Sequence, residues 1–225
     1  MSRKIYGIFV AGGSGTRMGA TVPKQFLYLG GEPILQRTVR TFHEAVPEMD
    51  VIIVLPSNHF DNWKQLCVEC DFNIPQTLVA GGITRFHSVR NALAKVPDGA
   101  LVMIHDGVRP LAGRDLILRV AEAGQSCPAV IPVIPMVDTL KFRDGSYPDP
   151  DRSAIVAAQT PQCFHSELIK EAYSQAYETR FTDDASVVSA MGKPLRFIDG
   201  ERFNLKITTP EDLPLAEYLI ASRCL

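Results

Sequence analysis

The sequence lacks the features that would place it in a membrane or on a nucleic acid. No apolar run among its 225 residues reaches the length of a transmembrane helix. Its formal net charge of −2 lacks the basic excess of a general nucleic-acid binder. The N-terminus, Met1-Ser2-Arg3-Lys4, leads directly into a predicted strand and does not resemble a signal peptide. We therefore expect neither a membrane nor a nucleic acid as partner.

Cysteine is also scarce, and its five positions show no disulfide framework. An odd number of cysteines without such a framework fits a reducing compartment, so we expect a cytoplasmic protein. Cys67 and Cys70 form a C-x-x-C pair, but no second pair accompanies it. Because residues three apart on a helix share a face, we interpret this pair as structural rather than zinc-binding or redox-active.

Repeats, low-complexity segments and clear linkers are absent as well. Hydrophobic residues make up 46% of the chain and charged residues 21%, which is typical of a globular protein with a substantial core. We therefore predict a single domain over residues 1–225.

Apolar strands alternate with amphipathic helices along most of the chain. The strands are predicted at 5–10, 51–55, 100–105 and 129–135. This alternation predicts an α/β fold with three layers, in which a mostly parallel, twisted sheet carries helices on both faces in the Rossmann-like manner. In such sheets ligands bind beyond the carboxyl ends of the strands.

The first predicted strand ends in a glycine-rich stretch, V-A-G-G-S-G-T-R-M, closed by P-K-Q at 23–25. Glycines at 12, 13 and 15 allow backbone N–H groups to approach an anion, while Arg17 and Lys24 add positive charge suited to phosphate. The spacing matches neither a P-loop nor the dinucleotide fingerprint, because Met18 stands where the third glycine would be. A purely structural turn is the alternative, but three glycines with two cations favour phosphate binding.

Two further motifs follow predicted strands. Gly81-Gly82 begins G-G-I-T-R-F-H-S-V, and H-D-G-V-R-P spans 105–110. A carboxylate such as Asp106 at a strand end suits Mg²⁺ or a ribose hydroxyl. Alternatively, Asp106 only caps the following turn and pairs with Arg109.

Taken together, these motifs resemble those of the sugar-phosphate nucleotidyltransferases. A-G-G-S-G-T-R-M-x(4)-P-K-Q and H-D-G-V-R-P are similar to the cytidylyltransferase branch that acts on methylerythritol phosphate or ribitol phosphate. A-x-T-P-Q at 158–162 and T-D-D-A-S at 182–186 extend the likeness over nearly the whole chain. The resemblance implies a fold of the nucleotide-diphospho-sugar transferase type.

The activity that this resemblance implies is transfer of CMP from CTP to 2-C-methyl-D-erythritol 4-phosphate, with release of pyrophosphate, in non-mevalonate isoprenoid precursor synthesis. The motif R-F-H-S-V at 85–89 favours this acceptor, whereas Val108 favours ribitol 5-phosphate and thus CDP-ribitol as product. A hexose phosphate or a molybdopterin acceptor, and a nucleotide-sensing module without enzyme activity, are further alternatives.

The resemblance also assigns roles to residues. The residues implied in catalysis are Arg17, Lys24, Arg152 and Lys206. Those implied in binding the nucleotide are Ala11, Gly12, Gly13, Gly15, Thr16, Gly81, Gly82, Arg85, Ser88, Asp106 and Gly107. Those implied in binding the sugar-alcohol phosphate are Thr139, Arg109, Arg152 and Lys206. Asp106 is also the expected ligand of Mg²⁺ or another divalent cation.

The alternating pattern breaks between residues 136 and 153. We predict a strand at 137–142, a turn at 143–146 and a polar, proline-marked return. Because a projecting β-arm buries little by itself, we expect residues 136–153 to pack on a second subunit and form a homodimer. A mobile surface loop is the alternative.

The remaining chain is predicted to return to helices and strands. We expect a helix at about 165–178, a helix capped by T-D-D at 182–184, and strands near 195–198 and 203–207. The last helix is expected to have Thr209 as its N-cap and Pro210 in its first turn.

Overall fold

The computed structural model describes residues 2–13 and 22–222, and its centre is a sheet of eight strands. The strands of the described chain are β1 Ile5–Val10, β2 Tyr28–Leu29, β3 Glu32–Pro33, β4 Asp50–Leu55, β5 Gln76–Ala80, β6 Leu101–Asp106, β7 Ala129–Pro135, β8 Val156–Ala158, β9 Gln162–His165 and β10 Arg196–Asp199. Seven strands of the large sheet lie in the order β10-β7-β9-β6-β1-β4-β5, and β8 pairs with β7. A separate small ribbon is formed by β2 and β3.

Seven α-helices accompany the strands in the described part of the chain. They are α1 Ile34–Ala45, α2 Phe60–Glu69, α3 Arg85–Leu93, α4 Arg114–Ser126, α5 Ser166–Tyr173, α6 Asp184–Ser189 and α7 Asp212–Ala221. One buried cluster joins the sheet to α1, α2 and α4, and a second joins it to α3, α5 and α6. The predicted three-layer α/β fold is thereby confirmed.

Alternation along β1 shows why both faces of the sheet are covered. Phe9 is fully buried in the first cluster and contacts Phe42 of α1 edge-on, with ring centroids 5.1 Å apart. Its neighbour Ile8 is fully buried in the second cluster, which contains Val89 of α3. Successive strand side chains point to opposite faces, so an uninterrupted apolar strand is stable only between two layers of helices.

A third, smaller cluster packs α7 against the segment that follows β6. It contains Val108, Ile207, Ala216 and Leu219, all buried. The backbone N–H of Ile207 donates to the carbonyl of Val108 at 2.8 Å. This packing brings residues close to 206 beside the carboxyl end of β6, although about a hundred residues separate them in sequence.

The sheet is mixed in a way that the sequence did not predict. The pairs β1–β4, β1–β6, β4–β5 and β7–β10 are parallel. Strand β9 runs antiparallel between β6 and β7, and β8 runs antiparallel to β7. Apolar content predicts that a short strand is buried but not its direction, which depends on the path of the preceding loop.

The predicted strand at 137–142 is wrong, because residues 136–151 form no regular element and the chain re-enters the sheet only at β8. No strand of the described chain pairs with this segment, and one of its carbonyls, that of Val137, accepts a hydrogen bond from Arg152 Nη1 instead. Side chains here are largely exposed, including Phe142 and Tyr147. The segment 136–153 is therefore an irregular arm rather than a β-arm.

Three smaller predictions also need correction. Residues 203–207 form no strand, because their backbone groups bond to loop residues such as Val108 instead of a sheet edge. The last helix begins at Asp212, whose carboxylate accepts the N–H groups of Thr208 and Thr209. The helix predicted at 165–178 ends at Tyr173.

The capping prediction for α6 is confirmed. Asp183 accepts the N–H of Ser186 at 2.8 Å, and Ser186 Oγ accepts the N–H of Asp183 at 3.2 Å. This reciprocal pair is a capping box, and it fixes where α6 starts.

Over residues 2–13 and 22–222 the structure contains no helix that is long and apolar enough to cross a membrane.

Candidate active site

A pocket of about 340 Å³ lies at the carboxyl ends of β1, β5 and β6. The residues that line it are Val10, Ala11, Gly12, Gly13, Lys24, Gln25, Gly82, Ile83, Thr84, Arg85, Ser88, Asp106, Val108 and Lys206. All three motifs that the sequence places at strand ends therefore contribute to one pocket. Three of the lining residues are cations and one is a carboxylate, so the described wall of the pocket favours an anion.

Most of the predicted nucleotide residues lie in this pocket, but some do not. Gly81 and Gly107 are absent from its lining, as are Arg109, Thr139 and Arg152. Gly15, Thr16 and Arg17 lie outside the described residues, so their predicted roles are not addressed by the geometry. Lys24 and Lys206, in contrast, lie at the same pocket although 182 positions separate them in the numbering.

The first wall of the pocket is the start of the glycine-rich stretch. The N–H of Ala11 donates to the carbonyl of Val54 at 2.9 Å, which continues the pairing of β1 with β4. Gln25 is almost fully buried, and its Nε2 donates to the carbonyl of Ala11 at 2.9 Å. This bond fixes the P-K-Q motif against the strand end, and with it the neighbouring Lys24.

Lys24 is largely buried, and its ammonium donates to the carbonyl of Ile207 at 3.0 Å. A buried ammonium keeps its charge only where oxygen atoms replace water. The bond also links the glycine-rich wall to the 204–207 segment that carries Lys206. Lys24 is therefore held in a fixed position at the pocket.

The second wall is formed by the turn into α3. Thr84 is the N-cap of α3, and its Oγ1 accepts the N–H of His87. Ser88 Oγ accepts the N–H of Gly82 at 3.0 Å and donates to the carbonyl of Thr84 at 3.0 Å. A Cβ at position 82 would collide with His87, including its backbone, so only glycine fits there. The N-terminus of α3 therefore faces the pocket, where it favours negative charge.

The third wall is Asp106, the last residue of β6, and it is surrounded by cations. Lys206 Nζ lies 2.9 Å from Oδ2, Arg109 Nε lies 3.4 Å from Oδ2, and Arg85 Nε lies 3.5 Å from Oδ1. Burial raises the pKa of Asp106, but Arg85, Lys206 and Arg109 outweigh it and hold that pKa well below its usual value. Asp106 is therefore an anion at any physiological pH.

Arg109 pairs with Asp106, as in the alternative given for the H-D-G-V-R-P motif, but it also fixes a neighbouring segment. Its Nη1 donates to the carbonyl of Asn204 at 2.7 Å. Burial is the main cause that lowers the pKa of Arg109, and Asp106 opposes it. Arg109 thus ties the end of β6 to the segment that carries Lys206, and it does not line the pocket itself.

Gly107 also acts through packing. A Cβ at this position would lie 2.8 Å from Leu35 Cδ1 and 3.1 Å from the Cβ of Ala11. Its N–H donates to the carbonyl of Val10 at 2.9 Å. Gly107 therefore allows the ends of β1 and β6 to approach each other, which brings Asp106 next to the glycine-rich wall.

A divalent cation fits this site only together with a phosphate ligand. The described residues contain no group of three or more His, Cys, Asp or Glu side chains that could hold a metal. Asp106 is the one carboxylate among the described lining residues. Mg²⁺ in proteins is often held by one or two carboxylates plus phosphate oxygens and water, and Asp106 suits that arrangement.

Sequence reasoning missed several residues that build the site. Asp184, fully buried, accepts two hydrogen bonds from the guanidinium of Arg85, at 2.8 and 2.7 Å. Thr160 Oγ1 accepts the N–H of Asp106 at 3.1 Å. Both residues belong to motifs noted in the sequence, T-D-D-A-S and A-x-T-P-Q, which could have identified them. The motifs do not predict their hydrogen-bond partners.

His105 is fully buried behind Asp106 and bonded on both ring nitrogens. Its Nδ1 lies 3.0 Å from Thr160 Oγ1, and its Nε2 lies 3.1 Å from the carbonyl of Arg109. Burial lowers the pKa of His105 to about 3, and its hydrogen bonds oppose this only partly. Because a carbonyl can only accept, we assign the proton of the neutral ring to Nε2. His105 is therefore a structural link between the end of β6 and the 158–162 motif.

These features define an α/β protein with an anion-binding pocket at the carboxyl edge of its parallel strands. The sequence model of the family described as 2-C-methyl-D-erythritol 4-phosphate cytidylyltransferase matches residues 5–222. The chain belongs to this family.

Individual relatives agree with this assignment. The 2-C-methyl-D-erythritol 4-phosphate cytidylyltransferase of Phocaeicola vulgatus is 48% identical over 215 residues, which cover 95% of this chain and 98% of the relative. The protein of the same name from Porphyromonas gingivalis is 47% identical and covers 99% of this chain and 100% of the relative. Among solved structures, 4-diphosphocytidyl-2C-methyl-D-erythritol synthase from Anaerococcus prevotii superposes with a TM-score of 0.83 at 28% identity, covering 97% of this chain and 96% of that one.

The low pKa of His105 predicts a specific loss of stability in acid. As the pH falls below about 6.5, the unfolded chain binds a proton at this histidine, whereas the folded chain stays neutral until about pH 3. The free energy of unfolding should therefore fall by up to about 1.4 kcal/mol per pH unit across this window. Between pH 7 and pH 5 this amounts to about 2 kcal/mol from His105 alone.

The measurement is urea unfolding at pH 7, 6 and 5 for the wild type and for His105→Gln. The variant is expected to be less stable at pH 7 but to lose less stability on acidification than the wild type. Equal slopes for the two proteins would show that His105 is not held neutral in the folded state.

Proposed function

We propose that this chain transfers CMP from CTP to 2-C-methyl-D-erythritol 4-phosphate and releases pyrophosphate, in the non-mevalonate synthesis of isoprenoid precursors. The observation that carries the proposal is the pocket in which Lys24, Arg85 and Lys206 converge on the carboxyl ends of β1 and β6. The nearly full-length similarity to relatives that carry this name supports the same activity.

The reaction needs no general base from the protein. A phosphate monoester has a second pKa near 6, so the acceptor is largely a dianion at pH 7 and its oxygen attacks directly. One P–O bond forms between this oxygen and the α-phosphorus of CTP, and the bond from the α-phosphorus to the β-phosphate oxygen breaks. The described pocket accordingly has no histidine in its lining. The barrier lies in bringing two polyanions together.

The fixed cations of the pocket lower that barrier by positioning and by charge stabilisation. Lys24 contacts the α-phosphate and the departing pyrophosphate, with Arg17 as its predicted partner. Lys206 orients the attacking phosphate, and it is close enough to Asp106 to exchange a carboxylate for a phosphate ligand. Backbone N–H groups at 12–13 and at the start of α3 hold the nucleotide.

Mg²⁺, held by Asp106 together with triphosphate oxygens, would neutralise charge on the leaving pyrophosphate. The charge of Asp106 in this pocket supports the proposal, because a protonated carboxyl would be a poor ligand. The roles of Lys24 and Lys206 given above do not depend on this ion.

We also propose a homodimer in which the arm 136–153 completes the site of the partner. Thr139 and Arg152, the predicted acceptor residues of the arm, do not line the described pocket of their own chain. The arm exposes apolar side chains such as Phe142 and Tyr147, which a second subunit would cover.

The cysteines at 67, 70, 127 and 163 are free, which supports a cytoplasmic location.

The activity is tested by pyrophosphate release from CTP and Mg²⁺ with 2-C-methyl-D-erythritol 4-phosphate or ribitol 5-phosphate as acceptor. We expect release with the first acceptor, and at least about 10²-fold lower kcat/KM with the second, since a site built for one set of hydroxyls leaves polar groups unpaired with the other. Preference for ribitol 5-phosphate would overturn the acceptor assignment. No release with either would overturn the proposed activity.

Replacing Lys24 tests the role of the fixed cations. Lys24→Ala is expected to lower kcat by about 10²–10³-fold and to change the KM for CTP much less, because the ammonium acts most strongly on charge that develops in the transition state. Steady-state kinetics at saturating acceptor measure both constants.

The matched control for this substitution is Lys64→Ala, which removes an exposed lysine on α2. It should leave kcat unchanged. The melting temperature of Lys24→Ala must stay above the assay temperature, because Lys24 is largely buried. Turnover close to that of the wild type would remove Lys24 from the catalytic role.

The proposed sharing of sites between subunits is tested by mixing two inactive variants, Thr139→Val and Lys24→Ala. In a homodimer of either variant, every site carries the substitution. In a mixed dimer, one site combines native Lys24 from one chain with native Thr139 from the other, and the second site carries both substitutions. At equal amounts, about a quarter of all sites should regain activity after subunit exchange. Activity that stays at the level of the separate variants would place Thr139 and Lys24 of each site within one chain.

A further inference from the structure

Arg85 differs from the other cations of the pocket in how it is held. Its Nη1 and Nη2 donate to the two carboxylate oxygens of Asp184, at 2.8 and 2.7 Å. Its Nε lies 3.5 Å from Asp106 Oδ1. A planar guanidinium bound at both Nη atoms has one orientation, so the edge that it presents to the pocket is fixed by Asp184.

Asp184 itself lies outside the pocket and is completely buried. A third donor, the hydroxyl of Tyr173, bonds to its Oδ1 at 2.5 Å. Burial, and after it the charge of Asp184, raises the pKa of Tyr173 well above its usual value, so the hydroxyl keeps its proton. The carboxylate of Asp184 is thus fixed by α5 on one side and by α3 on the other.

Arg85 carries its charge under all conditions in which the protein folds. Burial by itself would lower its pKa, but Asp184 and then Asp106 outweigh this and raise it. Arg85 is only partly exposed, with 27% of its side chain accessible, and it lines the pocket. A buried carboxylate and a partly buried guanidinium therefore form one rigid unit at the wall of the nucleotide pocket.

A structural ion pair is the alternative explanation for this unit. Buried ion pairs are costly, and well-packed apolar residues of similar volume often stabilise a protein at least as well. The surroundings of this pair are apolar and aromatic, since Tyr173 stacks on Phe86 with ring centroids 4.6 Å apart. An Arg85–Asp184 ion pair that only stabilised the fold would not require Arg85 to lie close to Asp106 or to line the pocket.

We propose that Asp184, oriented by Tyr173, is a positioning residue that fixes Arg85 for binding of the nucleoside triphosphate. The proposal rests on the proposed function, because it takes CTP as the ligand of the pocket. It gives the T-D-D-A-S motif a second purpose besides the capping of α6. Asp183 starts the helix, and Asp184 directs a cation from 99 positions earlier in the chain.

The test combines kinetics with a double-mutant cycle. Asp184→Asn keeps the shape of the side chain but removes its charge, so the fork of Arg85 is no longer held. We expect the KM for CTP and the Kd of CTP measured by calorimetry to rise by about 10–10²-fold, with kcat changed by less than about threefold. The KM for the sugar phosphate should stay within about twofold.

The cycle shows whether Asp184 acts through Arg85. In an Arg85→Met background, Asp184→Asn should have almost no further effect on the Kd of CTP, because the residue that it positions is gone. Additive effects of the two substitutions would contradict the proposal. So would a Kd of CTP that Asp184→Asn leaves at the wild-type value, or a loss confined to kcat.

Two more variants separate positioning from stability. Tyr173→Phe removes one hydrogen bond to Asp184 and keeps the stack on Phe86, so it should fold and raise the Kd of CTP by about two- to tenfold. Ser186→Ala breaks the capping box of the same helix without touching Arg85, so it should lower the melting temperature and leave the Kd of CTP unchanged.

If Asp184→Asn fails to fold, the comparison of Tyr173→Phe with Ser186→Ala decides the question. Equal affinity for CTP in these two variants would overturn the proposal. If the wild type releases no pyrophosphate but the variants change the affinity for CTP as expected, only the proposed function is contradicted. If the wild type is active but the variants do not change the affinity for CTP in this way, only the role of Asp184 is contradicted.

Discussion

The carboxylate of Asp106 is the constraint on which the site depends. It ends β6 inside the sheet and is approached by Arg85, Arg109 and Lys206, which come from three separate segments. An anion so placed gathers cations that would otherwise repel one another, and it keeps them at the pocket before any ligand arrives. A triphosphate then meets positive groups that are already oriented, so little has to be reorganised on binding.

The packing of the hydrophobic layers holds these charged residues in position. The two main clusters fix the sheet between α1, α2 and α4 on one face and α3, α5 and α6 on the other. The third cluster, around Val108 and Ile207, is small but holds the 204–207 segment against the end of β6. This packing places Lys206 near Asp106. Packing around Ile207 therefore contributes to the electrostatics of the pocket.

The sequence predicted the layered α/β fold because strands that are apolar on both faces and helices that are apolar on one face leave few other solutions. It also identified most of the pocket, because Lys24, Arg85 and Asp106 belong to motifs that follow predicted strands. Lys206 was identified only through the family resemblance. It failed where the answer depends on distant partners. The pairing of Arg85 with Asp184, and the antiparallel course of β9, arise from tertiary packing that no local pattern encodes. The segment 137–142 has the composition of a strand, but no strand of the described chain lies beside it.

The central claim is that the pocket recognises the charge of a triphosphate, and calorimetric titration with CTP and with cytidine at several salt concentrations tests it most directly. The account predicts one CTP per chain, an affinity that falls steadily as salt is raised, and much weaker binding of cytidine at every salt concentration. Cytidine that binds as tightly as CTP, or an affinity for CTP that does not change with salt, would contradict the account.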